Sequence, residues 1–170
     1  ATEAVSVAVG LDAPVVTITS PAPGASAVGG RLISLAGSAT VDGKPLRPSA
    51  LMWTVLLHHR EHQHYLTGFS GSVGSFEVPA DHDADSWYDV KLKAITDGGR
   101  AATARVRIDP KTRSLDLRTS PAGIAIGWGG TSAVGPRTSA VGFRSTLSVP
   151  AVTTVGGRRY RFSKWSDGSR

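Results

Sequence analysis

The chain has 170 residues, enough for one mid-sized domain or two small ones with a real core, and its 40% hydrophobic content is too high for a disordered chain. It has no Cys, which excludes disulfides, thiolate metal sites and a cysteine nucleophile, and no apolar run approaches the ~18 residues of a membrane-spanning helix. The net charge of +6 is uneven: residues 1–109 hold 9 Lys/Arg against 11 Asp/Glu, whereas residues 110–170 hold 10 against 2. A shift that abrupt points to two units with different surfaces.

Residues 1–11 carry no basic n-region, and the opening Ala1-Thr2-Glu3 reads as the start of a mature or excised fragment. No stretch keeps a helical apolar period; short β-branched runs between turn residues dominate. Residues 15–19 form a first strand, ended by Ser20-Pro21-Ala22-Pro23-Gly24, and residues 31–38 a second, closed by the Val41-Asp42-Gly43-Lys44-Pro45 turn. The third, residues 51–58, alternates Trp53, Val55 and Leu57 on one face with Met52, Leu56 and His58 on the other. Residues 72–78, 87–96 and 101–108 follow, the last two joined by the hairpin turn Asp97-Gly98-Gly99-Arg100. Around Asp109-Pro110-Lys111-Thr112 the proline ends the ladder and a short linker is expected. Shorter strands at residues 114–119, 124–128, 138–143, 146–149 and 159–165 make up the rest. The expected fold is therefore all-β, with two tandem β-sandwich units: an immunoglobulin-like one over residues 12–109, with a Trp on its third strand, and a small one over residues 113–170. A unit of about 60 residues is marginal alone and should dock on the first.

All five histidines fall within 25 positions: His58, His59, His62, His64 and His82. Neutral imidazole is the commonest ligand for zinc and copper, and clustering holds several nitrogens near one point. On a continuous strand His58, His62 and His64 share a face and His59 points away; a bend at Arg60-Glu61 would turn His62 and His64 back toward a neighbouring loop. The expected site is a divalent ion, zinc or copper in preference to calcium, held by His62, His64 and His82 with His58 or His59 as a fourth ligand. The bland alternative is an exposed polar loop whose rings pair with Asp81, Asp83 or Asp85. Those three acids alternate like the first ligands of a calcium loop. Ser86 stands where the loop needs Gly, however, and Leu92 where it needs Glu, so an EF-hand is excluded.

Other chemistry lacks its residues. There is no Gly-x-Ser-x-Gly elbow, no dinucleotide or phosphate loop, and the only glutamates are Glu3, Glu61 and Glu77. The aromatic residues offer a glycan platform instead. Trp128, between Gly127 and Gly129, is the expected exposed ring, with Tyr65 and Trp87 in support; Trp53 belongs to the core. Arg159 and Arg161 share a strand face opposite Tyr160 and Phe162 and suit an anionic glycan or simply water. Only two aromatic residues interleave with these charges and there is no recognition helix, so nucleic acid is not an expected partner.

One resemblance is carried by Trp53-Thr54-Val55-Leu56-Leu57-His58-His59, His62, His64, Gly74-Ser75-Phe76, Pro79, His82 and Ala94-Ile95-Thr96-Asp97. These pieces resemble a PKD-like module of the kind that follows the propeller of secreted bacterial glucose/sorbosone dehydrogenase-like (PQQ-dependent) and other carbohydrate-active proteins. The stretches Thr119-Ser120-Pro121-Ala122-Gly123-Ile124 and Phe162-Ser163-Lys164-Trp165-Ser166-Asp167-Gly168 are similar to the small β-repeat that follows it. The resemblance spans roughly residues 12–168, with Asp97-Gly98-Gly99 replacing the more usual Asp-x-x-Gly turn. It implies a secreted, noncatalytic accessory module beside a parent enzyme's catalytic domain, with a polysaccharide as partner, and transfers no catalytic residue. A spacer or docking module without a ligand is the alternative, and a fragment of a metal-dependent enzyme a further one.

Overall fold

The structure is a computed structural model that describes residues 13–169. The reading of residues 1–11, and the outermost domain bounds 12 and 170, lie outside the described residues. The fold is all-β, and among the described residues the one helical element is a 3-10 turn at Pro48–Ala50.

Two sheets enclose the core. The first joins β1 (Val15–Ser20), β3 (Leu32–Val41), β4 (Lys44–Pro45) and β7 (Val73–Glu77), with β3 pairing the other three. The second runs in the order β2 (Ser26–Ala27), β9 (Ala101–Pro110), β8 (Ser86–Ile95), β5 (Leu51–His59), β6 (His62–Ser70). The two sheets face each other across the core as a β-sandwich, with Trp53 on a central strand as expected. Trp53, Val55 and Leu57 alternate inward on β5, Tyr88, Val90 and Leu92 on β8, and all are essentially inaccessible. They meet Leu35, Ala39 and Phe76 from the first sheet. The Trp53 indole N–H donates to the Gly71 carbonyl at 2.9 Å, so the largest core side chain leaves no polar atom stranded.

Asp42 and Gly43, with φ of 51° and 72°, make the two-residue turn between β3 and β4, the geometry for which Asp-Gly is selected. Strand β6 was not expected. It is the sheet's edge and is exposed over His62 to Tyr65, so it lacks the alternation that marks a half-buried strand. Nor does Pro110 end the pairing. It lies opposite Ala27 at the parallel β2–β9 edge, and Lys111 alone separates β9 from β10 (Thr112–Leu117).

Beyond Lys111 the strands are short. β10 pairs β13 (Gly135–Ala140), β11 (Ile126–Trp128) lies between β12 (Thr131–Ala133) and β14 (Leu147–Ser148), and β15 (Val152–Val155) pairs β16 (Arg158–Arg161). Among the described residues of this segment only Ile126 and Ser139 are buried, so little apolar area holds it together alone. Backbone bonds tie it to the sandwich: Gly29 N–H donates to Val141, Lys111 N–H to Ala27 and Arg144 N–H to Ala80, at 2.7–2.9 Å. At this seam Gly29 and Gly142 touch backbone to backbone, and a Cβ on Gly29 would stand 2.8 Å from the Gly142 carbonyl.

Candidate functional site

The histidines reach the rim of the sandwich through one turn. Arg60-Glu61 closes the β5–β6 hairpin, pairing His59 with His62 and Leu57 with His64. Residues opposite each other on antiparallel strands point to the same side. The two-residue turn therefore reverses parity, and His59, His62 and His64 share the face of inward Leu57. His58 lies on the other face, opposite Gln63, which corrects the grouping of His58, His62 and His64 expected from a continuous strand. The anticipated bend at Arg60-Glu61 is present, with Arg60 at φ 52°.

His82 joins them from the loop between β7 and β8. Ring centroids are 5.3 Å apart for His59 and His82, 5.5 Å for His64 and His82, and 6.5 Å for His59 and His62. Two of these rings are backed by carboxylates. His82 Nδ1 donates to Asp81 Oδ1 at 2.8 Å, and His59 Nε2 stands 3.2 Å from Asp85 Oδ1. The hydrogen bond from His82 holds the Asp81 carboxyl below its ordinary value. Among the described residues, no three His, Asp or Glu side chains bring their donor atoms to a common point. The rim thus gathers four imidazoles at contact distance without aligning their nitrogens.

His58 has a separate environment. Its ring stacks on Trp87 at 3.9 Å and 9°, while its buried Nε2 has no hydrogen-bond partner and stands 3.9 Å from Asp89. Arg107 covers the same indole from β9, 4.4 Å from its centre, so neighbours from the strands on both sides flank Trp87. Asp89 is buried beneath Arg105, at 2.6 Å, and Lys91, at 3.3 Å. Burial opposes its ionisation, but the bonds from Arg105 and Lys91 outweigh burial and hold its carboxyl below the ordinary range.

Asp83 is occupied as well. One carboxylate oxygen accepts from Ser139 Oγ (2.9 Å), the Ala140 N–H (2.7 Å) and the Ala84 N–H (2.8 Å), and the other from Trp128 Nε1 (3.1 Å). Trp128 is consequently half-buried against Phe143 rather than the freely exposed ring expected between two glycines. Between Trp128 and the rim lies a cleft of about 380 Å³ lined by His59, Arg60, Asp81, Asp85, Thr131 and Arg137, among others. The engagement of Asp83 across 57 residues has no signature in the sequence.

The other proposed glycan contacts are dispersed. Tyr65 is 67% exposed on edge strand β6, with its hydroxyl over Gly68. Arg159 and Arg161 are both exposed and share a face of β16, as expected, but only Arg161 borders a cleft. Trp128 and Arg161 line different clefts, and neither includes Tyr65 or Trp87. Compared with known proteins, the chain matches no family model, no curated protein and no solved structure.

Proposed function

We propose that this chain is a noncatalytic accessory module of a secreted carbohydrate-active enzyme, and that its histidine rim takes one divalent transition-metal ion, zinc or copper. One observation carries the metal reading: the His82 ring stands 5.3 Å from that of His59 and 5.5 Å from that of His64, and His82 and His59 are each backed by a carboxylate. Tetrahedral zinc, with Zn–N near 2.1 Å, sets the centres of two ligating imidazoles about 5 Å apart. His82 has about that spacing from both His59 and His64. A carboxylate accepting from one ring nitrogen fixes the tautomer and leaves the other nitrogen's lone pair for a metal. His62 and His64 are exposed, so turning their rings inward displaces only water. The accessory role itself is supported by the resemblance of the His-rich strand and its neighbouring pieces.

Thermal melting after chelation, and again after adding zinc or copper, tests the site. An ion at about 100 times its dissociation constant adds about 2.7 kcal/mol to the folded state. The wild-type melting temperature should rise, and His64→Ala combined with His82→Ala should abolish the rise. Equal melting of wild type with and without both ions overturns the metal site. A ligand-free spacer is the second reading, favoured because no three donor side chains converge among the described residues.

A further inference from the structure

A second cleft, of about 350 Å³, opens in the C-terminal segment and includes none of the histidines. Its formation begins with the β15–β16 turn, where Gly156 and Gly157 have φ of 55° and 76° and so allow the two-residue hairpin. The turn places Tyr160 opposite Thr153, and both line the cleft. After β16 the chain curls back, with Phe162 N–H donating to Ala151 and Trp165 N–H to Ser169. Phe162 and Trp165 thereby lie 5.3 Å apart at 58°, forming an aromatic wall with Tyr160.

The rim of this cleft is basic. Arg118, Arg161 and Lys164 border it, and Arg118 is paired with Asp116. Arg161 and Lys164 have no carboxylate partner among the described residues. The remaining acid of this half, Asp167, accepts from Ser169 instead. Ser120, Thr153, Ser163 and Ser166 add hydroxyls to the lining.

We infer that this cleft binds an acidic sugar, a uronic acid or similarly carboxylated pyranose within a polysaccharide. Three features of such a ring correspond to three features of the cleft. Its C–H face stacks on an aromatic side chain, its hydroxyls exchange hydrogen bonds with serine and threonine, and its carboxylate pairs with two free cations. A cavity of this size lies in the range of small-ligand sites and accommodates one or two sugar units. Phosphate alone would satisfy the cations but leave the aromatic wall and hydroxyls unused. The inference shares its ligand class with the accessory-module reading but uses none of the rim's histidines.

Affinity electrophoresis tests it, with polygalacturonate or starch cast in the gel and a chelator present throughout, so that a metal at the rim plays no part. The wild-type chain should be retarded by polygalacturonate and not by starch. Arg161→Gln combined with Lys164→Gln should weaken that retardation about tenfold, the effect of losing roughly 1.4 kcal/mol of charge-assisted contact. Arg158→Gln combined with Arg159→Gln removes equal charge from positions that do not border the cleft and should leave retardation within about twofold, since neither side chain reaches a ligand held there. All four positions are exposed, so folding is preserved. Equal losses in the two double variants, no retardation by polygalacturonate, or full competition by inorganic phosphate would each overturn the inference.

Discussion

Asp83 ties its own loop to the C-terminal segment, accepting from Ala84 within the loop and from Trp128, Ser139 and Ala140 across the seam. Burial raises its pKa, but the bonds from Ala140, Ser139, Ala84 and Trp128 together outweigh burial and hold it below the ordinary value of 3.8. A depressed carboxyl stabilises the folded state above its unfolded pKa, and that contribution is lost as pH falls below 3.8 through the folded value. Replacing Asp83 with Asn sets an amide N–H₂ against one of these donors, at a cost of about 1–3 kcal/mol at neutral pH. Melting curves at neutral pH and near pH 3 should therefore show a destabilised variant whose stability falls less steeply with acid than the wild type's. Parallel pH profiles would show that Asp83 is not the group responsible. This residue also marks a limit of sequence reading. Gly127-Trp128-Gly129 gives a local pattern of open space around the indole, whereas the partner that covers it lies 45 positions away.

At the scale of elements, the alternation on β5 is legible because one face is buried throughout: Trp53, Val55 and Leu57 had to point inward. The Asp-Gly turn after β3 and the Gly-rich turn before β9 were equally legible, because few residues tolerate positive φ. Edge strand β6 was not, since exposure of every residue from His62 to Tyr65 removes the periodic signal. The histidine grouping depended on that strand: a two-residue turn reverses which residues share a face, and no composition rule reveals the turn's length. A further constraint sits at Gly37 on β3, buried where the two sheets meet. A Cβ there would lie 2.8 Å from the Thr17 carbonyl oxygen and 3.2 Å from Trp53, and closer still to Leu92. Gly37→Ala should cost about 1–3 kcal/mol through overpacking, read as a lower denaturation midpoint. Ser38→Ala, at the exposed neighbouring position, should stay within about 0.5 kcal/mol. Equal midpoints for the two variants would refute the close contact.

Across the whole molecule, the break in charge after residue 109 falls beside Lys111, and among the described residues beyond it the strands are short and bury little area. What the sequence left open was how the two parts meet. Apart from Asp83, the seam is held by backbone, with Gly29 against Gly142, and backbone contacts have no compositional signature. Gly29→Ala should push the C-terminal segment off the sandwich while sparing the core. Limited trypsin digestion should then cleave faster at Lys111, Arg137 and Arg144, with the sandwich fragment persisting. Cleavage at the wild-type rate would mean the seam tolerates the extra carbon.

The loop of residues 81–85 works on both sides of this divide. His82 and Asp85 look toward the imidazoles, while Asp83, between them, grips Ser139, Ala140 and Trp128. A tether fastened in the middle cannot swing freely at either end. Peeling the C-terminal segment away would strip Asp83 of three of its donors and so release the loop that presents His82.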